Sequence, residues 1–337
     1  IKTGYCEQYP SYYWEKLCKV CKKLTKEQKE LMDRVKCISM TCFRDTSVLL
    51  DENNEVIRPS ILWLDQRLAD GKRKLPLLNR FLFKVVGMTD TVEMNMRRTA
   101  ANWIQENEPE NWAKTKHYVN ISTYFVYRLV GELVDSIGNQ TGHYPIDFKH
   151  KKWYGKHALK QPIFGVEKEK CCRLVEAGDV LGKISKKCSE ETGLKEGRVV
   201  IASGADKACE TIGTGCLTKD MASISYGTAS SIEVSNKKYI EPEQFLPAYP
   251  AAIPNLYNME VQVYRGYWMI TWFTQEFAKQ ESAEATIEKL AVEEYMNKKL
   301  LEVKPGCDGL VLQPYWGPGL KKPNARGAII GFSDCHT

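Results

Sequence analysis

The apolar positions of this chain change their period several times, and each change marks an element. From Tyr12 to Leu24 apolar and basic residues alternate with a helical period, with Trp14, Leu17, Cys18, Cys21 and Leu24 three and four apart. A second helix is expected from Thr25, where Gln28 completes a capping box. The run VKCISMTCFRDTSVLLDENNEVIRPSILWLDQR then reads as strand, polar break, strand, a turn at DENNE, and a strand that ends on charge. Helical segments are expected over 101–106 and 122–129, followed by an irregular stretch rich in Lys, Gly and His from about Gly138 to Lys160. A helix over 183–192 leads through GLKEGR to Val199, Val200 and Ile201, a continuous apolar run of the kind that forms a strand buried on both faces. After Gly215, MASISYGTASSIEVS predicts a hairpin about a Gly-Thr turn, then helices over 268–278 and 283–299 and a strand at GLVLQP. Strands grouped with helices in each half predict two α/β lobes joined near 212–215, and no solenoid repeat is present.

Composition narrows this picture. The 337 residues suggest roughly two domains, and an apolar content of 43% is ordinary for a globular protein with a real core. The 48 Lys and Arg exceed the 42 Asp and Glu, giving a formal charge of +6, but they are scattered in pairs such as Lys22 with Lys23 and Lys321 with Lys322, a poor footprint for nucleic acid. No apolar run reaches bilayer-spanning length and no leader-like start is evident, so a soluble cytoplasmic protein is expected. Of twelve cysteines, Cys18, Cys21, Cys37 and Cys42 imitate a zinc-ribbon spacing; Cys18 and Cys21 fit the apolar face of a helix better, and buried free thiols account for the count. The chain opens on isoleucine and stops just after an apolar strand-like run, which reads as a fragment of a longer protein.

Candidate chemistry begins at VVIASGADKACETIGTG, where Ser203, Gly204 and Ala205 turn the buried strand into a helix and set Asp206 at the strand's C-terminal end, the place where open α/β sheets bind ligands. Taken alone, Asp206 also suits a helix N-cap. Arg44 and Asp45 interrupt a strand-like segment; a guanidinium fork beside a carboxylate can grip adjacent hydroxyls of a polyol, or form a plain surface ion pair. Asp65 follows Ile61, Leu62, Trp63 and Leu64 and repeats the strand-end carboxylate, with Trp63 suited to a sugar's apolar face or to a core. Gly227 and Thr228 place a small residue and a hydroxyl at a hairpin tip, where backbone N–H groups can approach phosphate. There is no Walker loop and no GxGxxG.

Together these segments resemble the FGGY carbohydrate kinases. CEQYPSYYWEKL is similar to that family's EQDP-WW segment, VIRPSILWLDQR to RPAILWxDxR, VVIASGADKACETIGTG to the strand-turn-helix bearing the catalytic aspartate, MASISYGTASSI to the second phosphate hairpin, and NARGAIIGFSDCHT to ARGxxxGLTxxHT. The resemblance runs nearly end to end. It implies an α/β fold of the actin-like ATPase (ribonuclease H-like) type in two domains, 1–212 for sugar and 213–337 for nucleotide. It also implies ATP-dependent phosphorylation of a small sugar or polyol with Mg2+, Asp206 as general base, Arg44, Asp45, Asp65 and Trp63 on the sugar, and Gly227 and Thr228 on ATP. No metal site built by the protein alone, no nucleic-acid partner and no membrane are expected; a homodimer is compatible with it. In this family Arg44 and Asp45 stand where glycerol kinases carry Arg-Glu, whereas Asp65 matches xylulose kinases. Lys207 replaces an Asn or Gln, Ala100 a Lys, and Arg265 a small residue; these departures define the alternative, a sugar-binding regulatory pseudokinase of the same fold. The DxGT turn and the glycine-rich adenosine segment would lie before Ile1 and after Thr337, so this stretch by itself is expected to lack turnover.

Overall fold

The computed structural model describes residues 3–227, 229–263, 266–316, 325–334 and 336. It divides into two compact units, residues 1–221 with 234–259 and residues 222–233 with 260–337.

The first unit is organised about Ser47–Leu50, a strand buried along its whole length. It pairs antiparallel with His117–Asn120 on one side and Ser60–Ile61 on the other, and Glu7–Gln8 closes the sheet beyond Ser60–Ile61. Side chains alternate along a strand, so its two faces feed two cores. Val48 and Leu50 join Trp14, Ile121, Phe125, Leu129 and Val200 on one side; Leu49 joins Ile61, Ile104, Tyr118 and Tyr144 on the other. Each such side chain taken fully from water contributes roughly 1.5–3 kcal/mol, so a strand buried twice over is the natural keel of the unit.

Three helices cover the first core: Pro10–Glu27, Ile121–Val130 and Lys186–Thr192. Pro10 sits in the first turn, where its missing N–H costs nothing, and Trp14, Leu17, Cys18 and Cys21 face the core as the periodicity predicts, while Leu24 is exposed. The second helix does not start at Thr25. That hydroxyl donates to the Cys21 carbonyl at 2.9 Å, a bond made within a continuing helix, and the new helix is Lys29–Arg34. Every described cysteine is a free thiol, and no group of three metal-ligating side chains occurs among the described residues.

A second sheet runs Val180–Lys183, Val199–Ile201, Cys37–Ser39. Val199–Ile201 pairs parallel with Cys37–Ser39, and Val200 is fully buried with half-buried neighbours. The Ile61–Leu64 run is less of a strand than its composition suggests. Pairing stops at Ile61, and Trp63 and Leu64 stand half exposed in the following turn.

The second unit holds a hairpin whose strand Ser223–Tyr226 pairs from Ser223↔Glu233 to Tyr226↔Ser230. It continues with the helices Tyr267–Phe277, Lys279–Glu288 and Val292–Leu300 and the strand pair Val311–Gln313 with Ala328–Ile330. The single helix expected over 283–299 is broken by Lys289, whose left-handed backbone (φ 59°) ends Lys279–Glu288; no glycine or proline announces the break. No described helix is long and apolar enough to cross a membrane.

Candidate active site

The parallel pairing of Val199–Ile201 with Cys37–Ser39 carries the two chains to a common end, and side chains continue the zipper where the backbone ladder stops. Ser203 Oγ donates to the Met40 carbonyl at 2.5 Å, Thr41 Oγ1 to the Gly204 carbonyl at 2.9 Å, and the Asp206 N–H to the Cys42 carbonyl at 3.2 Å. Gly204 leaves room for its neighbours on the other side of this turn, since a Cβ there would come within 2.7 Å of the Ala252 Cβ and 2.9 Å of the Ala208 Cβ. The turn therefore delivers Asp206 beside Arg44 with little freedom.

Asp206 is the first residue of the helix Asp206–Gly213, and Ala205 takes the N-cap position without a side-chain bond. The capping interpretation thus fails on geometry. A carboxylate in the first turn is favoured by the helix dipole, and its Oδ1 accepts the Lys207 N–H at 2.9 Å. Arg44 Nε lies 3.5 Å from the same Oδ1, and the Asp206 side chain is 42% exposed against 18% for Arg44. The Oδ2 atom accepts no hydrogen bond among the described residues. The Arg44 guanidinium also lies 5.3 Å from the centre of the Tyr249 ring, an approach that holds a planar cation without using its donors.

Asp45 adopts a left-handed backbone (φ 49°), a conformation costly for a non-glycine residue and tolerated best by Asp and Asn. What holds it is His143: Asp45 accepts the His143 N–H at 2.9 Å on Oδ1 and lies 2.6 Å from His143 Nδ1 through Oδ2. Gly142 is seated directly beneath this carboxylate, where a Cβ would strike Asp45 Oδ1 at 2.4 Å. Burial by itself would lower the His143 pKa, but the charge of Asp45 and the hydrogen bond to it outweigh burial and hold it above the ordinary value. Asp45 shows the converse: burial would raise its pKa, and His143 brings it below the ordinary value.

The loop bearing Gly142 and His143 is anchored by Asp135, which is fully buried. Ser122, Thr123, Asn139 and Gln140 all donate to its carboxylate, as does the Ser136 N–H. Burial pushes the Asp135 pKa up in spite of these donors. The same loop ties to the Asp206 turn through Ala205 N–H to the Gly138 carbonyl at 2.9 Å. Neither Asp135, His143 nor Tyr249 stands out in the sequence. The available signal was DSIGNQT, a polar run that begins inside the short buried strand Val134–Ser136 and continues into the stretch from 138 expected to be irregular.

The remaining expected site residues divide. Trp63 is tied to the residue after Asp45: its backbone N–H donates to Thr46 Oγ1 at 3.3 Å, and the residue is about half exposed. Asp65 is turned inward. Its oxygens receive Arg67 Nε at 2.8 Å, Arg67 Nη2 at 2.6 Å and the Cys6 N–H at 2.6 Å, and its side chain is 2% exposed. Arg67 is in turn stacked on Tyr5 and Trp103 and paired with Glu7. Gly227 belongs to the second unit, at the hairpin tip, where its carbonyl accepts the Tyr267 N–H at 2.8 Å and its N–H donates to Ala229 at 3.0 Å. Thr228 and Arg265 lie outside the described residues. The Lys207 ammonium pairs with Glu210 at 2.7 Å, and Ala100 opens the helix Ala100–Asn107.

A strand-end aspartate beside a half-buried arginine, on this sheet arrangement, can be compared with known families. The family description "FGGY family of carbohydrate kinases, N-terminal domain" matches residues 1–213. The chain belongs to the FGGY family of carbohydrate kinases. Among relatives of this FGGY chain, a xylulose kinase of Lactococcus lactis is 27% identical over 99% of the chain and 65% of its own length. A gluconokinase of Bacillus subtilis is 24% identical over 98% of the chain and 64% of its own length. The FGGY chain thus spans a little under two thirds of the length of these relatives. The solved xylulose kinase of Rhodospirillum rubrum superposes with a TM-score of 0.81 at 22% identity, covering 100% of this chain and 67% of that one, which establishes the actin-like ATPase fold. Plasmodium falciparum glycerol kinase follows at a TM-score of 0.68 and 16% identity, covering 99% and 66%.

Proposed function

We propose that this chain forms the sugar-binding part, residues 1–212, and the beginning of the nucleotide-binding part, residues 213–337, of a kinase that transfers the γ-phosphoryl group of ATP to a hydroxyl of a small sugar or polyol. The observation that carries this reading is the open Arg44–Asp206 pair: a partly exposed carboxylate fixed by its backbone, with one oxygen engaged and the other accepting no hydrogen bond among the described residues, and with Arg44 followed along the chain by Asp45 and by Thr46, whose hydroxyl accepts the Trp63 backbone N–H. Relatives named xylulose kinase and gluconokinase support an acceptor of the ketose or sugar-acid class.

In this mechanism Asp206 Oδ2 accepts the proton of the acceptor hydroxyl and, being partly exposed, passes it to solvent afterwards. Arg44 sets the orientation of that carboxylate and donates to neighbouring hydroxyls, Asp45 accepts from them, and the Trp63 ring lies against the apolar face of the sugar. Asp65 serves the site from behind by locking the Trp63-bearing turn to Arg67 and Cys6. Bound MgATP supplies the phosphoryl group and the charge that neutralises it. Mg2+ usually binds through one or two carboxylates together with the phosphates of the nucleotide, and the partly exposed Asp206 carboxylate is a group of this site that could face it. Gly227, with Thr228, would hold the phosphate tail. Lys207, engaged with Glu210 along its own helix, gives no support to a loss of chemistry at this site.

Calorimetry with D-xylulose, D-gluconate and glycerol tests the sugar side, and ATP consumption by the intact protein with the same panel tests turnover. Saturable binding of at least one acceptor that Arg44→Ala weakens by about tenfold or more is expected; binding of none of the panel, or binding indifferent to Arg44, would remove the assignment.

A further inference from the structure

The helix Leu77–Val85 is built inside out. Only Phe83 is buried, in the cluster with Leu75, Met88, Val92, Met96 and Ile163, and Asn79 ties the helix down by donating to the Leu159 carbonyl at 2.9 Å. With about 3.6 residues per turn, Leu77, Phe81, Val85, Leu78 and Leu82 then occupy a continuous arc of roughly 140° centred opposite Phe83, with no polar residue inside it. Their exposures are 82%, 62%, 68%, 68% and 38%. Arg80 and Lys84 lie together on one flank of the arc. An amphipathic helix of a globular protein turns its apolar stripe inward and its charges out; here the wide stripe faces out and a single phenylalanine makes the inward contact.

The size of this face and the shape beside it indicate what covers it. At about 150–200 Å² for a large apolar side chain, these exposures amount to roughly 600 Å² of contiguous apolar surface. That is the upper end of what a soluble monomer leaves uncovered and approaches the ~800 Å² per partner of a standard interface, which the rim supplied by Arg80, Lys84 and the neighbouring helix Thr89–Arg98 would complete. Between those two helices runs a groove of about 170 Å³ whose walls are Leu75, Leu77, Phe81, Phe83 and Val92 together with Arg80, Lys84, Thr89 and Glu93. The surface therefore carries a projecting apolar face and, along its edge, a groove that sets the Glu93 carboxylate among the cations Arg80 and Lys84, so that the apolar area and both signs of charge needed to meet a second copy are present on one patch, the self-complementary arrangement of a two-fold contact.

We propose that Leu77–Val85 is the contact helix of a homodimer, packed against the same helix of a second copy with Phe81 of each seated toward the groove of the other. The sugar site is not part of this face, so the proposal stands or falls apart from the kinase reading.

Sedimentation velocity of the chain over a dilution series tests it. Dimer mass is expected at tens of micromolar, halving on dilution, and the double variant Leu78→Glu with Phe81→Glu is expected to be monomeric throughout. Because both side chains are exposed, the variant should keep the parent's circular dichroism and melting temperature, which separates loss of contact from loss of fold. A photo-reactive phenylalanine analogue in place of Phe81 should cross-link to the 75–92 segment of a second copy, read by mass spectrometry. A monomer at every concentration, a dimer untouched by the double variant, or cross-links confined to other segments would overturn the proposal. So would cosedimentation of monomeric protein with phosphatidylcholine–phosphatidylglycerol vesicles that the double variant abolishes, which would make this a membrane-facing helix.

Discussion

Two arginine–aspartate pairs in the first unit arise from similar sequence and end in opposite states. Asp65 and Asp206 each follow an apolar run. Arg67 meets Asp65 in a two-pronged contact with both side chains sealed from water, whereas Arg44 Nε stands 3.5 Å from Asp206 and the carboxylate is left 42% exposed. The closed pair has spent its donors and acceptors. Asp65 has none left over, since Cys6 takes what Arg67 does not, and Arg67 is further committed to Glu7 and two aromatic rings. The open pair keeps one oxygen of Asp206 unengaged beside a bend held in a left-handed conformation. Stability and readiness for ligand are thus separated between two copies of one chemical motif: burial makes a pair structural, and incomplete burial leaves it able to exchange its partner.

Breaking the closed pair should give the largest effect. Asp65→Ala leaves the Arg67 guanidinium buried beside Glu7 alone, and removal of one member of a buried pair typically costs about 3–5 kcal/mol. A fall in melting temperature large enough to see without denaturant is expected, and a near-parental melt would mean that water reaches Arg67. The open pair should behave in the reverse sense. Asp206→Asn should cut turnover of the intact protein by roughly a hundredfold or more, the range for loss of a positioned base, with sugar affinity and melting temperature close to parental. Arg44→Ala should raise the sugar KM by about tenfold or more while kcat changes less, as expected on losing a charge-assisted hydrogen bond to non-reacting hydroxyls. If kcat instead fell with KM unmoved, Arg44 would be acting on the reacting oxygen and the comparison would need redrawing.

The smallest expected effect sharpens the picture at Asp45. His143 is held above its ordinary value of 6.5 and Asp45 below its ordinary 3.8. The His143 contribution to stability is therefore complete below about pH 6.5 and disappears as pH rises through its raised value; that of Asp45 is present above about pH 3.8 and disappears as pH falls through its lowered value. NMR titration should place the His143 midpoint above the ordinary histidine range, and Asp45→Asn should drop it below that range, since burial is then left to act without the counter-charge. A midpoint unmoved by Asp45→Asn would show that the two side chains are not coupled in solution.

Much of the first unit was legible because its signals are local. The helix Pro10–Glu27, the strand Val199–Ile201 and the turn after it are written in periodicity and in small residues, and the position of Asp206 follows from them. Trp63 and Asp65 show where local signals stop. Both belong to one apolar run, yet Trp63 turns out beside Thr46 while Asp65 turns in to Arg67, and nothing in the spacing of ILWLDQR separates the two outcomes. The break of the expected long helix at Lys289 was equally hidden, since a lysine carries no signal for a left-handed cap.

What the sequence determined by itself was the order of elements, the class of fold and the chemistry gathered at the end of one strand, because these depend on periods of two and 3.6 residues and on which side chains can carry charge. Only the tertiary structure decided which of those charges stay available. His143 reaches Asp45 across 98 residues, the Gly138 carbonyl receives Ala205 from 67 residues away, and Asp135 collects its donors from a helix and a loop that meet only in three dimensions. The cost of burying a charge is set by every group that surrounds it, and those surroundings exist only once the chain has folded.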